Sequence, residues 1–170
     1  MKLLAIDPSL NCTGLAFPDQ TTTTLRPPKG LDGPARLQWI RNKLRELLVG
    51  LDAIILEDYS YASANSAHQI GELGGVLRLL FHENEIPVAL VSPGQLKQWA
   101  TGKGNSKKEV VLSELTHRAG RTFATSDEAE AWALGAMGAA RIGRPWVTMP
   151  KDRVAVLGKV RWPDCMGAGL

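Results

Sequence analysis

The first part of the chain alternates between short apolar runs and polar turns. Residues 2 to 17 are KLLAIDPSLNCTGLAF, in which an apolar run stops at Asp7, passes through a polar turn and resumes. Apolar runs bounded by Pro, Ser, Asn and Gly predict a buried strand with an antiparallel neighbour. Residues 21 to 25, four threonines and a leucine, are rich enough in β-branched side chains to predict a short third strand. We therefore expect Asp7 at the end of a strand, at the rim of a sheet.

Strand and helix patterns alternate through the rest of the chain. Apolar runs at 51 to 56, which stops at Glu57, and at 86 to 92 predict two more strands. Helical spacing predicts five helices, over residues 35 to 50, 66 to 82, 95 to 101, 107 to 119 and 126 to 140. For the last helix, Thr125 as N-cap and Glu128 predict a capping box. This alternation is typical of one α/β domain.

The helix predicted for residues 66 to 82 contains three glycines, Gly71, Gly74 and Gly75. Each glycine costs about 1 kcal/mol relative to alanine inside a helix. We therefore expect another backbone to approach this helix closely, either a second helix or a partner subunit.

Length and composition narrow the class of protein. A chain of 170 residues fits one domain, since folding at this size buries roughly 70% of the unfolded chain's surface. No apolar run reaches the ~18 residues of a membrane span, and the N-terminus lacks a signal-peptide pattern, so we expect a cytoplasmic protein. Cys12 and Cys165 lie far apart and have no zinc-ligand spacing, so both are expected to be ordinary small side chains.

Charge is distributed unevenly although the net charge is only +3. Residues 86 to 121 hold six Lys and Arg against two acids, and residues 141 to 170 hold six against two. Residues 122 to 140, between them, hold three acids and no base. This segregation suits a polyanion-binding surface around an acidic centre, although a solvated face gives the same counts. The pattern after residue 143 is weak, with short strands expected at 146 to 149 and 154 to 160.

Four acids are expected at the ends of predicted elements. Asp7 and Glu57 follow strands, and Asp127 and Glu130 lie three residues apart at the start of the last helix, on one side of it. Gathered carboxylates repel and raise one another's pKa unless cations neutralise them. Two Mg²⁺ ions about 3.5–4 Å apart do so in phosphoryl-transfer sites. Alternatively, any one of these acids is a helix cap or a surface charge.

The chain resembles the RuvC family of Holliday junction resolvases, in the ribonuclease-H-like superfamily, and especially its smaller phage-borne members. The matching stretches, in order, are AIDPSLNCTGLAF, IILED, NSAHQIGELGGVL, VSPGQLKQWATGKGNSKKEVV and DEAEAWALGAM. The resemblance implies a nuclease domain over residues 1 to 142, with a mixed sheet of three antiparallel strands followed by parallel ones and helices on both faces. Residues 143 to 170 would form a basic C-terminal extension.

The resemblance also implies a catalytic site. The family's catalytic, metal-binding carboxylates match Asp7, Glu57, Asp127 and Glu130; the last departs from the family's usual Asp. Asp7 would bridge two Mg²⁺ ions, with Mn²⁺ as an alternative, Glu57 and Asp127 would each hold one ion, and Glu130 would hold or orient the second. The implied reaction is hydrolysis by metal-activated water, which leaves 5′-phosphate and 3′-hydroxyl ends.

The same resemblance implies DNA contacts and a dimer. The family's basic residues near the phosphate match Lys107 or Lys108, with Lys103 as a further candidate. Tyr59 and Tyr61 are the candidates for a side chain that unstacks bases at a junction. The helix at 66 to 82 resembles the family's dimerisation helix, and a two-fold homodimer would place two sites on two strands for paired nicks in recombination or repair.

Three other functions remain open on sequence grounds. A broader nuclease would cut flaps, three-way junctions and forks as well as four-way junctions. A non-catalytic junction-binding protein would gain nothing from the cluster of acids. An actin-like ATP-binding domain is suggested by residues 7 to 14, but that fold needs two such lobes and the chain supplies one.

Overall fold

The fold centres on a mixed five-stranded sheet in the computed structural model, which describes residues 1–58 and 67–167. The strands are β1 (Leu3–Asp7), β2 (Thr13–Ala16), β3 (Thr22–Leu25), β4 (Ala53–Glu57) and β5 (Val88–Val91). Their order is β3-β2-β1-β4-β5; the first three pair antiparallel, and β4 and β5 join β1 in parallel. This arrangement confirms the predicted fold class.

Helices cover both faces of the sheet. They are α1 (Gly33–Arg45), α2 (Ala67–Glu83), α3 (Pro93–Thr101), α4 (Lys108–Ala119), α5 (Ser126–Arg141) and α6 (Lys151–Val154). Alternate residues of β1 face opposite sides, as a strand requires, so Leu4 and Ile6 pack with α1 and α2, whereas Leu3 and Ala5 pack with α3, α4 and α5. Each face thus has its own apolar core.

Some predicted helix ends differ from the observed ones. α1 begins at Gly33 rather than residue 35, because Pro34 suits the first turn, and it ends at Arg45 rather than Gly50. Thr125 caps α5 as predicted, since its hydroxyl accepts from the Glu128 N–H at 3.1 Å. The capping box is incomplete because the Glu128 carboxylate accepts from the Ala124 N–H at 3.0 Å instead.

The strands predicted in the C-terminal segment are wrong. Lys151–Val154 forms α6, and Ala155–Lys159 and Asp164–Met166 form 3-10 helices. Val156, Leu157 and Val160 are buried in the core beside α3; Val156 and Leu157 lie within Ala155–Lys159, and Val160 follows it in extended backbone. This segment therefore adds apolar core as well as basic charge.

Two of the three glycines of α2, Gly71 and Gly75, have open space around them in the described part of the chain. A methyl group added at Gly71 or Gly75 would meet no atom within 4 Å. Within the described residues, then, no second helix makes the close approach expected at these two positions. Cys12 is buried and Cys165 exposed, and both are free thiols.

None of the helices in the described ranges is long and apolar enough to cross a membrane.

Candidate metal centre

Two acids meet at one edge of the sheet because β1 and β4 are parallel neighbours. Ile6 pairs with Leu56, so Asp7 and Glu57 end adjacent strands at the same level. The turn after Asp7 is fixed by Thr13, whose buried hydroxyl donates to the Ser9 carbonyl at 2.7 Å and accepts from the Ser9 N–H at 3.2 Å. The two carboxyl groups are therefore presented from rigid strand ends.

A close contact between β2 and α5 brings the remaining acids to this edge. Gly14 pairs with Asp7 in the sheet, and a methyl group added at Gly14 would lie 2.0 Å from the Asp127 carbonyl oxygen. The first turn of α5 thus rests directly on the backbone of β2, where only glycine fits. Glu130, about one turn further along α5, consequently reaches the carboxylate of Asp7.

The structure gathers three of the four predicted acids into one group. Carboxylate oxygens of Asp7, Glu57 and Glu130 all lie within 4.8 Å of one another. Asp127 stands beside that group: its Oδ1 lies 3.5 Å from the Nζ of Lys108, and it interacts with the Cys12 thiol. All four acids are close to the sheet edge, but Asp127 is aimed at the lysine.

Burial and mutual repulsion perturb these carboxyls. The pKa of Asp7 is raised well above its usual range, because burial desolvates it and because Glu57 repels its charge and shares a hydrogen bond with it. Burial raises the pKa of Glu57 to about 7, against the opposing effect of the hydrogen bond from Asp7. Burial likewise raises the pKa of Glu130. Without a cation, burial and mutual repulsion therefore favour the neutral forms of these carboxyls.

This donor set fits a divalent metal ion. Three clustered carboxylates with raised pKa values supply hard oxygen ligands, the kind that Mg²⁺, Mn²⁺ and Ca²⁺ prefer. Among the described residues, no His or Cys joins the group, so the chemistry does not suit zinc in a structural site. Asp7, Glu57 and Glu130 are the residues that can hold the ion.

Two lysines face the acids. Burial opposes the charge of Lys108, but Glu130, Asp127 and Asp7 raise its pKa overall, and its Nζ lies 4.0 Å from Glu130 Oε2. Lys97 on α3 lowers the pKa values of Glu57 and Glu130 by its charge. Both lysines line the cavity of about 260 Å³ over the acids. Lys108 therefore lies inside the site rather than only on the outer surface.

Sequence reasoning missed Lys97. It follows β5, whose carboxyl end lies at the same sheet edge as those of β1 and β4, and it points into the cavity from the second turn of α3. A lysine early in the helix after a third parallel strand was the available signal. By contrast, Lys103 and Lys107 are exposed, before and at the N-cap of α4. Tyr59 and Tyr61 lie outside the described residues.

Several known proteins are similar to this chain in sequence, and they carry the same name. No protein-family model matches the chain. The curated relatives are named crossover junction endodeoxyribonuclease RuvC. The Brevibacillus brevis protein is 29% identical over 127 residues, which cover 68% of this chain and 76% of the relative. The Syntrophomonas wolfei protein is 30% identical over 122 residues, which cover 65% of this chain and 71% of the relative. The Nocardia farcinica protein is 26% identical over 152 residues, covering 79% and 78%.

Solved structures share the fold. Thermus thermophilus RuvC superposes with a TM-score of 0.65 at 22% identity, over 85% of this chain and 98% of that one. The structure of the same protein in complex with a Holliday junction substrate also superposes with a TM-score of 0.65. The identity is 23%, and the match covers 85% of this chain and 97% of that one. With matches of this length and identity to the curated relatives, and with the acids at the carboxyl edge of a shared fold, the chain belongs to the RuvC family.

Proposed function

We propose that this chain is a metal-dependent endonuclease that resolves four-way DNA junctions by paired nicks. The observation that carries the proposal is the group of Asp7, Glu57 and Glu130 at the sheet edge, faced by Lys97 and Lys108. Carboxylates that hold metal, beside cations that hold phosphate, suit phosphodiester hydrolysis. The curated relatives are named crossover junction endodeoxyribonucleases, and the Thermus protein was solved with a Holliday junction.

The chain's own residues divide the work. Asp7 interacts with both Glu57 and Glu130, so it is the carboxylate that would contact both ions, while Glu57 would hold one from β4 and Glu130 the other from α5. Asp127, which pairs with Lys108, is the fourth carboxylate that would hold an ion. When bound, two Mg²⁺ ions, or Mn²⁺, supply activated water and neutralise charge on the phosphate. The products carry 5′-phosphate and 3′-hydroxyl ends.

The lysines act on the DNA phosphate. Lys108 approaches from α4 and Lys97 from α3, so a phosphate that enters the cavity meets a cation on two sides. Lys103 and Lys107 are exposed just before α4 and extend this positive surface along the DNA strand. Such contacts make binding strongly dependent on salt.

A homodimer through α2 supplies the second active site. Gly71, Gly75 and Leu79 are four residues apart and thus lie on one face of α2. The two glycines have open space above them, and Leu79 on the same face is 55% exposed, so this face offers an apolar side chain beside two positions where another backbone can approach. Two copies packed along this face would relate their sites by a two-fold axis, as paired nicks across a junction require.

A broader debranching nuclease is the alternative. It uses the same acids and differs only in how many branched substrates it accepts. The test is cleavage of labelled four-way, three-way, flap and linear duplex DNA of matched sequence, with Mg²⁺, Mn²⁺ or chelator. Symmetrical paired nicks confined to the four-way junction support the resolvase, whereas comparable cutting of every branched DNA supports debranching. Metal-independent cutting, or none, would contradict the proposed function.

A further inference from the structure

A second basic hollow lies beside the turn that follows Asp7. It has a volume of about 340 Å³ and is formed between the β1–β2 turn and the loop from β3 to α1. Three cations line it, Arg26, Lys29 and Arg36, together with Asn11. It shares no lining residue with the cavity over the acids, so it is a separate site.

Arg36 is held in place at the wall of this hollow. Its Nε donates to the Leu31 carbonyl at 2.8 Å, and its NH1 donates to Asn11 Oδ1 at 3.3 Å. These two bonds join the β3–α1 loop to the β1–β2 turn. A guanidinium has five N–H donors, so several remain for a ligand. The loops around the hollow are therefore organised before anything binds.

The other two cations have no partner in the described part of the chain. Arg26 and Lys29 are exposed, and no hydrogen bond or ion pair joins either one to residues 1–58 or 67–167. Asp32 and Glu72 line a neighbouring hollow, which shares Leu10 and Arg36 with this one. The positive charge of this hollow is consequently left for an anion from solution.

The strand register places this hollow in line with the metal centre. Gly14 pairs with Asp7, and on the other side of β2 Thr13 pairs with Leu25, the residue before Arg26. Arg26 thus leaves the sheet at the same edge as Asp7, two strands away. Two strand spacings are about 10 Å, a distance that a few nucleotides of one DNA strand span at a rise of about 3.4 Å each along the helix axis.

We propose that Arg26, Lys29 and Arg36 form a docking site for a backbone phosphate of the DNA strand, a few nucleotides from the one held at the metal centre. The inference rests on the proposed function, which supplies the DNA. A phosphate contact of this kind fixes the position of the strand without reading its sequence. The site therefore sets where along a junction arm the chain cuts.

The test is the salt dependence of junction binding in chelator, where no cutting occurs. Arg26→Ala/Lys29→Ala should weaken binding and reduce the slope of log K against log salt by about 1, because one phosphate contact is lost. Lys43→Ala/Arg45→Ala is the matched control, because it removes two cations at the opposite end of α1. The control should keep the wild-type slope, and circular dichroism should show both variants folded.

Three results would overturn the inference. An unchanged slope in Arg26→Ala/Lys29→Ala, or an equal loss in the control, would mean that the hollow does not contact DNA. Thermal stabilisation by inorganic phosphate that disappears in Arg26→Ala/Lys29→Ala, with the slope intact, would assign the hollow to free phosphate. Wild-type cleavage with metal is scored separately: if it fails while the slope difference remains, the proposed function fails and the docking site stands.

Discussion

The carboxyl cluster should make the metal-free protein less stable as the pH rises. Burial raises the pKa of Glu57 from 4.5 to about 7, so the folded chain binds this proton more tightly than the unfolded chain. For an acid with a raised pKa, stability is fully present below the unfolded value and is lost as the pH rises through the folded value. The window is therefore about pH 4.5 to 7.

The size of the effect follows from the same values. A tenfold change in proton affinity is worth about 1.4 kcal/mol. Ionisation of Glu57 therefore lowers the free energy of unfolding by about 3 kcal/mol at pH 8 when no cation is bound. For a domain of this size, that corresponds to a shift in Tm of roughly 6–12 °C. Asp7 and Glu130 have raised pKa values too, and their repulsion adds to the loss in the same direction.

The assay is thermal unfolding in chelator across this pH range, for the wild type and Glu57→Gln. The neutral variant should be more stable than the wild type at pH 8, and the difference should shrink towards pH 4.5. Glu85→Gln, which removes one exposed carboxylate, is the control and should show neither effect. Mg²⁺ should stabilise the wild type at pH 8 much more than Glu57→Gln. Equal stability of Glu57→Gln and the wild type at every pH would refute the account of a strained cluster.

Three further predictions follow from close contacts and open space. Gly14→Ala should lower the free energy of unfolding by about 1–3 kcal/mol, measured by denaturant unfolding, and should slow cleavage because it displaces α5. Gly158→Ala, which adds a methyl group in open space, should change neither the stability nor the cleavage rate. Lys97→Ala should slow cleavage about 10²-fold at saturating junction concentration while binding stays near normal. An equal loss of cleavage rate in Lys103→Ala would contradict the role given to Lys97 inside the cavity. Gly71→Ala should leave the monomer folded but weaken the dimer in analytical ultracentrifugation; an unchanged dimer would move the interface elsewhere.

The sequence was informative about the acids because strands fix their position. An apolar run that stops at Asp7 or Glu57 places the carboxyl at a sheet rim whatever the packing, and the first turn of α5 could be placed from the Thr125 cap. How near the four acids come to one another depends on Gly14, where β2 meets α5. That contact is tertiary, so the sequence did not show that Asp127 would turn to Lys108.

The remaining differences also come from tertiary packing. Lys97 lies on a helix that periodicity assigns correctly, but its approach to the acids depends on how α3 crosses the end of β5. The segment after residue 150 contains β-branched residues that favour strands locally. It is helical over residues 151 to 159 because Val156 and Leu157 bury in the core beside α3, and that gain outweighs the local preference.

The most direct test of the central claim is cleavage of a four-way junction by the wild type, Asp7→Asn and Asp152→Asn side by side. Asp152 is an exposed acid on α6, so its variant makes the same chemical change away from the metal centre. The account predicts metal-dependent paired nicks by the wild type and Asp152→Asn, and none by Asp7→Asn, which should still bind the junction. Cleavage by Asp7→Asn at the wild-type rate would contradict the account, and loss of binding together with cleavage would make Asp7 a folding residue.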